Sequence, residues 1–429
     1  MMEIPCGMQE QFLEAKQLIE SSNDIKIYTH TDCDGICSGA ILSIILDRLN
    51  KDYEIEFVNL DEIEDLDLDH KLTIFSDLGS GQGVDKNAKD GQKILILDHH
   101  PPLRDINYKN DKAYTYLEIN PMFYGIDGSY YVCGGGLCYF LAKTFGFKDL
   151  SWIGVLSAIG DMQNNKTGHF EGLNEIIQKD AINEGLLKVT KNDLNIYGRS
   201  TRPLYVALSY FSDVKLPTTN NQQEAKVVLE ELGVDEKHNR KTLSEVTEED
   251  KMEIKKFLSR MISKRVPPKY LKYVPKLIVG DAYTFLNEEE GSFLRDGSEF
   301  STAMNACGRN RKEAIGVDII KGDRLVALDA LEEVSKTHKY NLATSISKVA
   351  DNYHSEIIEL DNFQYFDCSD FDEDIASNII GTITGMVLGY CNWKKPILGF
   401  SKPKNNQIKV SLRSVSYTHL RAHETEADL

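Results

Sequence analysis

The sequence predicts an α/β protein: a doubly wound parallel sheet in an N-terminal domain, followed by a second, smaller α/β domain with a mixed sheet. Two observations predict this fold class. Short apolar runs alternate with helical patterns over the first 165 residues, and a similar alternation returns after residue 275. In the first half, four apolar segments each end on acidic or imidazole side chains. Because open α/β sheets build their sites at the carboxyl ends of strands, we expect these four ends to form one site.

The elements of the first domain follow from the spacing of its apolar residues. An amphipathic helix is expected at 8–21, where Phe12, Ala15 and Ile19 share one face. The elements that follow are strand 24–29, helix 36–49, strands 54–58, 72–76 and 93–97, and helices 136–146 and 151–160. Three glycines, Gly134 to Gly136, open the helix at 136–146. They either offer N–H groups to a phosphate or allow the helix to pack closely against the sheet.

The rest of the chain has a less periodic central segment and then a second α/β pattern. Between about 165 and 265 we predict a connector or helical insertion with a helix at 247–264, whose first turn is acidic. The second pattern consists of strand 276–279, helix 297–307, strand 315–319, helix 323–350, strand 356–359, helix 374–388, and strands 396–400 and 407–412. The predicted domains are therefore 1–190, 191–265 and 266–414.

Composition excludes several classes of protein. The 429-residue chain is 41% hydrophobic, and no run approaches the ~20 apolar residues of a membrane span. The formal net charge of −18 argues against a generally basic protein that coats nucleic acid, although bound divalent cations can reverse the sign of the potential locally. The eight cysteines lack zinc-finger spacing, and the first residues lack the features of a secretory signal. Together these features predict a cytoplasmic protein with reduced thiols and no membrane association.

The side chains at the ends of the apolar segments form a ligand set for metal ions. The candidates are His30, Asp32, Asp34, Asp77, His99, His100 and Asp161. Carboxylates with imidazoles and without thiolates suit Mn²⁺ well, with Mg²⁺ as an alternative. Four acids can hold two divalent cations ~3.5–4 Å apart, which activate a water and neutralise charge on a phosphoryl group. Taken singly, each residue also has a structural explanation, such as a helix N-cap for an aspartate.

Four motifs, in this order, resemble those of the DHH phosphoesterase superfamily. They are His30-Thr31-Asp32-Cys33-Asp34-Gly35, Asp77, Asp98-His99-His100 and Gly160-Asp161-Met162-Gln163. The resemblance covers most of residues 24–165. It implies a phosphoesterase that binds two divalent cations and hydrolyses a phosphodiester bond.

The resemblance also implies a role for each residue of these motifs. One metal would be held by His30, Asp32 and Asp77, and the second by Asp34, Asp77, His99 and Asp161. The residues expected to act in catalysis are Asp34, Asp77, His99, His100 and Asp161. Asp77 would bridge the metals, and His100 would contact the scissile phosphate. Asp98 is expected to orient a neighbouring histidine from behind the ligands.

Segments of the second half resemble the DHH-associated C-terminal domain in its archaeal RecJ-like form. These segments are Gly297 to Phe300, Asn305 to Arg309, Gly381 to Ile383 and Lys409 to Ser414. The resemblance implies a single-strand exonuclease of a branch in which some members associate with GINS subunits of the replicative helicase. Arg309, Arg311 and Arg413 are then candidates for contacts with the nucleic-acid backbone.

These observations favour a metal-dependent phosphodiesterase that hydrolyses single-stranded DNA or RNA from an end. Two other enzyme activities remain open: a nano-RNase or nucleoside bisphosphate phosphatase, and a cyclic-dinucleotide phosphodiesterase. A non-catalytic replication-helicase scaffold is the alternative from another class of protein. Such a scaffold is expected to lose metal ligands, whereas every expected ligand is present in this chain.

The last fifteen residues, 415–429, look foreign to the protein. The segment Val415 to Thr425 is similar to the translation of a transposase adapter used in DNA library preparation, and we interpret 415–429 as a non-native tail. The family's closing Gly-Gly-His-x-x-Ala-Ala-Gly element does not occur in the chain, so we expect the DHH-associated domain to be incomplete after Ser414. Such a chain is expected to bind metals and to hold nucleic acid weakly.

Overall fold

The computed structural model divides the chain into two compact units. The described residues are 2–108, 113–211, 214–234, 241–351, 356–369, 371, 373–388, 390–392, 394–401 and 408–414. The first unit comprises Met1–Val189, Tyr283–Glu290 and Leu294–Val334, and the second comprises Thr190–Ala282, Gly291–Phe293 and Ser335–Leu429. The segment 415–429 lies outside the described residues, so its interpretation as a non-native tail stays a prediction.

The described residues contain the following helices and strands. In the first part they are α1 (Cys6–Glu20), β1 (Ile25–Thr29), α2 (Cys33–Arg48), β2 (Tyr53–Phe57), β3 (Leu72–Ser76), β4 (Lys93–Leu97), β5 (Thr115–Ile119), α3 (Gly134–Thr144), α4 (Ser151–Gly160) and α5 (Asn174–Asn183). The later elements are β6 (Leu187–Leu194), α6 (Leu204–Ser209), α7 (Gln222–Glu231), α8 (Glu248–Ser263), α9 (Val274–Ile278), β7 (Val279–Phe285), α10 (Gly297–Arg309), α11 (Glu313–Lys321), α12 (Val326–Asp351), β8 (Ile358–Glu359), β9 (Gln364–Asp367), α13 (Glu373–Val387), β10 (Ile397–Phe400) and β11 (Val410–Arg413).

The first unit contains a five-stranded parallel sheet in the order β2-β1-β3-β4-β5. The chain adds β2 on one side of β1 and then crosses to add β3 on the other side. The direction of winding therefore reverses next to β1, and a crevice opens at the carboxyl ends of β1 and β3. The pairing aligns the last residues of four strands, Thr29, Ser76, Leu97 and Ile119. The predicted doubly wound parallel sheet is confirmed.

Burial explains the composition of these strands. All five residues of β3, and four of five in β1 and β4, are buried, as expected when helices cover both faces of a parallel sheet. The edge strand β2 instead alternates half-buried and exposed residues. Helix α2 is buried along almost its whole length, because α3, α4 and α11 all pack against it. This surrounded helix is the one that begins at the carboxyl end of β1.

The second unit has two hydrophobic cores. One is formed by the helical segment from Leu194 to Ile278. The other lies beside a mixed four-stranded sheet in the order β11-β10-β9-β8, in which β9 and β10 are parallel and the outer pairs are antiparallel. A separate two-stranded sheet pairs β6 with β7. The predicted second sheet of mixed direction is therefore also confirmed.

Two predicted strands are wrong. Residues 315–319 lie within helix α11, and residues 276–278 belong to helix α9, with strand β7 beginning only at Val279. In α11 the buried residues include Glu313, Gly316, Val317 and Ile320, which have helical spacing. A short apolar run such as Ile319-Ile320 is compatible with a strand or a helix. Here the segment packs against α2 as a helix.

The predicted domain boundaries at 190, 265 and 414 stay predictions. The division into compact units assigns α10 and α11, which the sequence placed in the second α/β domain, to the same unit as the parallel sheet. All eight cysteines lie among the described residues, and none of them forms a disulfide bond. Within the described ranges, every helix is too short or too polar to cross a membrane.

Candidate metal centre

Three chemically active side chains directly follow the aligned strand ends. His30 follows β1, Asp77 follows β3 and Asp98 follows β4. Asp77 has a φ of 57°, in the left-handed region that few residues other than glycine adopt. Aspartate tolerates this conformation better than most residues, because its short side chain can hydrogen-bond locally. Backbone strain of this kind concentrates at functional sites, where the surrounding structure enforces it.

Among the described residues, three groups of side chains bring potential ligand atoms within 4.8 Å of one another. The first group is His30, Asp32 and Asp77, the second is Asp34, His99 and Asp161, and the third joins Asp77 to Asp98, His99 and His100. In the first group, Nδ1 of His30 lies 3.1 Å from Oδ2 of Asp32 and 3.6 Å from Oδ2 of Asp77. The second group adjoins the first, because Nε2 of His99 lies 3.3 Å from Oδ1 of Asp77. The two ligand sets implied by the resemblance stay a proposal, and their members lie together at this edge.

The carboxylate of Asp34 is held by the beginning of α3. The backbone N–H groups of Gly134 and Gly135 donate to its two oxygens at 2.8 and 2.7 Å, and the Ser157 hydroxyl donates to it as well. A negative charge at a helix N-terminus is favoured by the helix dipole. The N–H groups of these glycines therefore bind a carboxylate of the protein itself. The sequence left two explanations open, phosphate binding and close packing, and close packing applies at Gly134 and Gly135.

His99 is positioned as a ligand would be. Its Nδ1 lies 2.8 Å from the Gly128 carbonyl, which can only accept, so Nδ1 carries a proton and Nε2 faces the carboxylates. Among the described residues, Nε2 of His99 and Oδ2 of Asp77 are buried and have no hydrogen-bond partner. Buried polar atoms are rarely left unpaired. An unpaired nitrogen and oxygen among further carboxylates are what a divalent cation requires, so these residues fit a metal.

The carboxylates crowd one another. Burial raises the pKa of Asp77 well above its usual range, and the charges of Asp34 and Asp32 raise it further. Burial likewise raises the pKa of Asp161 to about 7, despite the opposing charge of His99. Burial alone would lower the pKa of His30, but the neighbouring carboxylates of Asp32 and Asp77 outweigh it and raise that pKa to about 11. The site concentrates more negative charge than it can neutralise, and cations relieve this imbalance.

Asp98 is buried beside these groups and holds His100. The carboxylate of Asp98 is fully buried, and its Oδ1 accepts hydrogen bonds from Nδ1 of His100 at 2.8 Å and from the backbone N–H of His99 at 2.7 Å. Its Oδ2 accepts from the backbone N–H of Ser80. Burial alone would raise the pKa of Asp98, but the hydrogen bond and charge of His100 outweigh it and hold that pKa at about 2. His100 itself is half exposed, with Nε2 left for other contacts.

Sequence comparison shows the family to which the chain belongs. The family model described as "DHH family, N-terminal domain" matches residues 24–156, and the model described as "DHH-CID domain" matches 196–274. The uncharacterized protein MJ0831 of Methanocaldococcus jannaschii is 30% identical over 384 residues, which span 88% of this chain and 78% of that protein. The chain belongs to the DHH family. A second protein of the same organism, MJ1071, is 29% identical over 205 residues, which span 46% of this chain and 59% of that protein.

Solved structures show that the DHH chain has a RecJ-like fold. CDC45 from Entamoeba histolytica is similar with a TM-score of 0.64 at 14% identity, over 98% of this chain and 91% of that chain. An exonuclease RecJ bound to manganese has a TM-score of 0.51 at 12% identity, over 96% and 83% of the two chains. RecJ from Thermus thermophilus in complex with Mn²⁺ has a TM-score of 0.52 at 12% identity, over 99% and 50%. At such low sequence identities, the similarity to these structures shows the fold alone.

One residue that supports the DHH motifs was not identified from the sequence. The side-chain oxygen of Asn305, in α10, accepts a hydrogen bond at 3.0 Å from the backbone N–H of Cys33, the first residue of α2. Gly308 of the same helix lies so close to the Thr31 carbonyl that a Cβ there would approach its oxygen to 1.7 Å. Helix α10 therefore fixes the turn that carries Asp32 and Asp34 in place.

Replacing Asn305 by alanine is expected to weaken Mn²⁺ binding about 10-fold, the lower end of the effect of removing a group that orients metal ligands. The reason is that the Cys33 N–H loses its acceptor and the turn holding Asp32 and Asp34 becomes less rigid. Isothermal titration with Mn²⁺ measures the effect. Asn305→Asp retains an acceptor oxygen and should remain closer to the unmodified protein. The control is Thr302→Ala, a change at a partly exposed residue of the same helix, and equal affinity of the Asn305→Ala and Thr302→Ala variants would contradict the assignment.

The three arginines proposed for substrate binding are distributed between the two units. Arg309 ends α10, and Arg311 follows two residues later with a φ of 54°. Both belong to the first unit, at or just after the end of the helix whose Gly308 contacts Thr31. Arg413 ends β11 in the second unit and is exposed. Their contact with nucleic acid stays a proposal.

Two further side chains of the DHH domain complete the surroundings of the ligands. Gln163 is buried and donates hydrogen bonds to the Gly128 carbonyl at 2.7 Å and to Asp161 at 2.8 Å, which links Asp161 to the carbonyl that orients His99. Ser157 donates to Asp34. Gln163 could have been suspected from its place in the fourth motif, whereas Ser157 gives no sequence signal apart from lying one helical turn before Asp161.

Proposed function

We propose that this chain is a metal-dependent phosphodiesterase that hydrolyses single-stranded nucleic acid from an end. The observation that carries the proposal is the set of six ligand-type side chains gathered at one sheet edge, with a buried imidazole nitrogen and a buried carboxylate oxygen left without partners. Family membership supports the reaction class. Mn²⁺ is the preferred cation and Mg²⁺ the alternative, because the donors are carboxylate oxygens and imidazole nitrogens.

Each side chain has a separate task in this proposal. Residues of the first group, His30, Asp32 and Asp77, would hold one cation, and those of the second group, together with Asp77, would hold the other. When bound, the cations would polarise the phosphoryl group and activate a water. The chain itself supplies rigid positioning: Gly128 fixes the ring of His99, and Asp98 fixes the ring of His100 with its free edge toward solvent. His100 would then contact the scissile phosphate.

The alternatives differ in substrate and in activity. A nano-RNase or nucleoside bisphosphate phosphatase, and a cyclic-dinucleotide phosphodiesterase, would use the same metal centre on small substrates. A panel of long single strands, dinucleotides, nucleoside bisphosphates and cyclic dinucleotides separates these enzymes. A non-catalytic scaffold would hydrolyse none of them. A GINS-like partner for the segment matched by the DHH-CID model belongs to the same proposal, and co-elution with purified GINS tests it.

The proposal is tested by hydrolysis of end-labelled single strands in Mn²⁺. The His99→Ala and Asp161→Ala variants are expected to lose at least about 10²-fold in rate, the effect of removing one strong transition-state contact. His169→Ala, an exposed histidine outside both groups, is the matched control and should retain full activity. Undiminished hydrolysis in either ligand variant would refute the two-metal mechanism. No hydrolysis of any substrate by the unmodified chain, with Mn²⁺ binding intact, would favour the scaffold.

A further inference from the structure

The segment from 254 to 280 is strongly basic in an otherwise acidic protein. It contains eight basic residues and no acidic ones, whereas the whole chain carries a net charge of −18. The basic residues are Lys255, Lys256, Arg260, Lys264, Arg265, Lys269, Lys272 and Lys276. All of them belong to the second unit, outside the candidate metal centre. We call the six exposed members of this set, all but Lys255 and Arg265, the basic surface.

The first half of the basic surface is a charged stripe along α8. Lys256, Arg260 and Lys264 are four residues apart and exposed, so they lie on one side of the helix, while Ile254 and Leu258 are buried on the other. The eight residues from the first to the last of these cations span about 12 Å along the helix axis. Burial of the apolar side in the helical core fixes the direction in which the stripe faces.

The second half of the basic surface continues through a 3₁₀ helix, Pro268–Tyr273, and into α9. Lys269 lies 4.9 Å from the ring of Tyr270, and Lys272 and Lys276 lie 4.7 and 5.8 Å from the ring of Tyr273. Both tyrosines are buried in the helical core. Their rings therefore restrain the lysines and offer no open face on which a nucleobase could stack.

Among the described residues, most cations of this surface have no carboxylate partner. Lys256 pairs with Glu253 at 2.7 Å, a contact near the surface that is worth at most about 1 kcal/mol. Within the part of the chain that the structure describes, Arg260, Lys264, Lys269 and Lys276 form no ion pair with a carboxylate. Concentrating like charges in this way raises their mutual repulsion, and binding of a polyanion relieves it.

We propose that the basic surface binds the phosphate backbone of a single-stranded nucleic acid. This inference rests on the proposed function, for which it supplies a second contact with substrate, remote in sequence from the metal ligands. Regularly spaced basic side chains suit a regularly charged backbone. Because Tyr270 and Tyr273 beside the lysines are buried, we expect binding that depends on salt and little on base sequence. Protein interfaces are depleted in lysine, which argues against an acidic protein as the occupant.

The test measures binding of a fluorescein-labelled 20-nucleotide single strand by anisotropy, without divalent cations so that the probe is not hydrolysed. In the full chain, Lys256→Glu, Arg260→Glu and Lys264→Glu are combined. Three other exposed lysines of the same unit, Lys215, Lys336 and Lys339, are changed to glutamate in the control, which has the same net charge. The stripe variant is expected to bind at least 10-fold more weakly than the control. The slope of log Kd against log salt should fall by about 2, since each phosphate contact contributes ~0.7 for single strands.

A glutamine version of the stripe variant removes the charges without adding repulsion along α8, so it keeps the test valid if the glutamate version fails to fold. Equal affinity of both stripe variants and the control would overturn the proposal. If the stripe variants lose binding to polyglutamate but not to the single strand, the proposal is overturned and an acidic protein is the favoured partner. If binding depends on the stripe but the protein hydrolyses no substrate in Mn²⁺, the basic surface is supported as a binding site and the proposed nuclease activity is refuted. If the stripe variants hydrolyse the substrate and bind the single strand as before, only the proposal for the basic surface is refuted.

Discussion

Replacing Asp77 by asparagine is expected to abolish Mn²⁺-dependent hydrolysis, with a fall of roughly 10³-fold or more. Removal of a ligand should exceed the 10- to 100-fold cost of changing a residue that only orients one. Asp77 lies in contact distance of His30 on one side and His99 on the other, so both groups of ligands lose an anionic partner at once. Asparagine tolerates the left-handed backbone at this position, so the turn after β3 is preserved.

The same substitution is expected to stabilise the metal-free protein, raising its Tm by a few degrees. Asp77 is buried beside the carboxylates of Asp34 and Asp32, and removing its charge relieves their repulsion. A substitution that raises stability while it abolishes activity is expected at a functional site whose residues repel one another. Calorimetric Mn²⁺ titration and thermal unfolding in EDTA measure the two effects.

The matched control for Asp77→Asn is Asp149→Asn. Asp149 pairs with Arg48 on the exposed surface, where such pairs contribute at most about 1 kcal/mol. This variant should bind Mn²⁺ normally, hydrolyse normally and gain no stability. If Asp77→Asn hydrolysed single strands within 10-fold of the control, Asp77 would not be a shared ligand.

Replacing Gly135 by alanine is expected to destabilise the protein by about 3 kcal/mol, the upper end of the usual cost of overpacking. A Cβ at this position would lie 2.1 Å from the hydroxyl oxygen and 2.7 Å from the Cβ of Ser157. Helix α3 must then move away from α4. Because the N–H groups of Gly134 and Gly135 hold Asp34, that movement also displaces a proposed ligand. Urea unfolding and Mn²⁺ titration should therefore both change.

Gly83→Ala is the control for this steric argument, because the nearest heavy atom to its Cβ would be 3.5 Å away and its backbone φ is not positive. Its effect should stay within about 0.5 kcal/mol. The double change Gly135→Ala with Ser157→Gly removes the clashing atoms and should recover part of the lost stability, as expected for residues in direct contact. Equal stability of the Gly135→Ala and Gly83→Ala variants would show that α3 and α4 are not held this closely.

Local sequence was sufficient to locate the strand ends. The bounds of β3, β4 and α4 agree with the prediction to the residue, because each is a dense apolar run with a clear polar stop. The strand β5 was missed, because Thr115 to Ile119 contains polar residues that an edge strand tolerates. The strand predicted at 315–319 was wrong, because a short apolar run does not reveal whether its neighbours are strands or helices.

The sequence by itself predicted the candidate ligands, since acids and imidazoles that end parallel strands must meet at one edge of the sheet. The tertiary structure alone decided how they are held. The Asn305 side chain reaches the Cys33 amide across 272 residues, and the Gly134 and Gly135 amides reach Asp34 across about 100. No local pattern encodes such contacts, because they depend on how helices pack after the chain has folded. The sequence therefore predicts the candidate ligands, and the packing of α2, α3 and α10 sets their geometry.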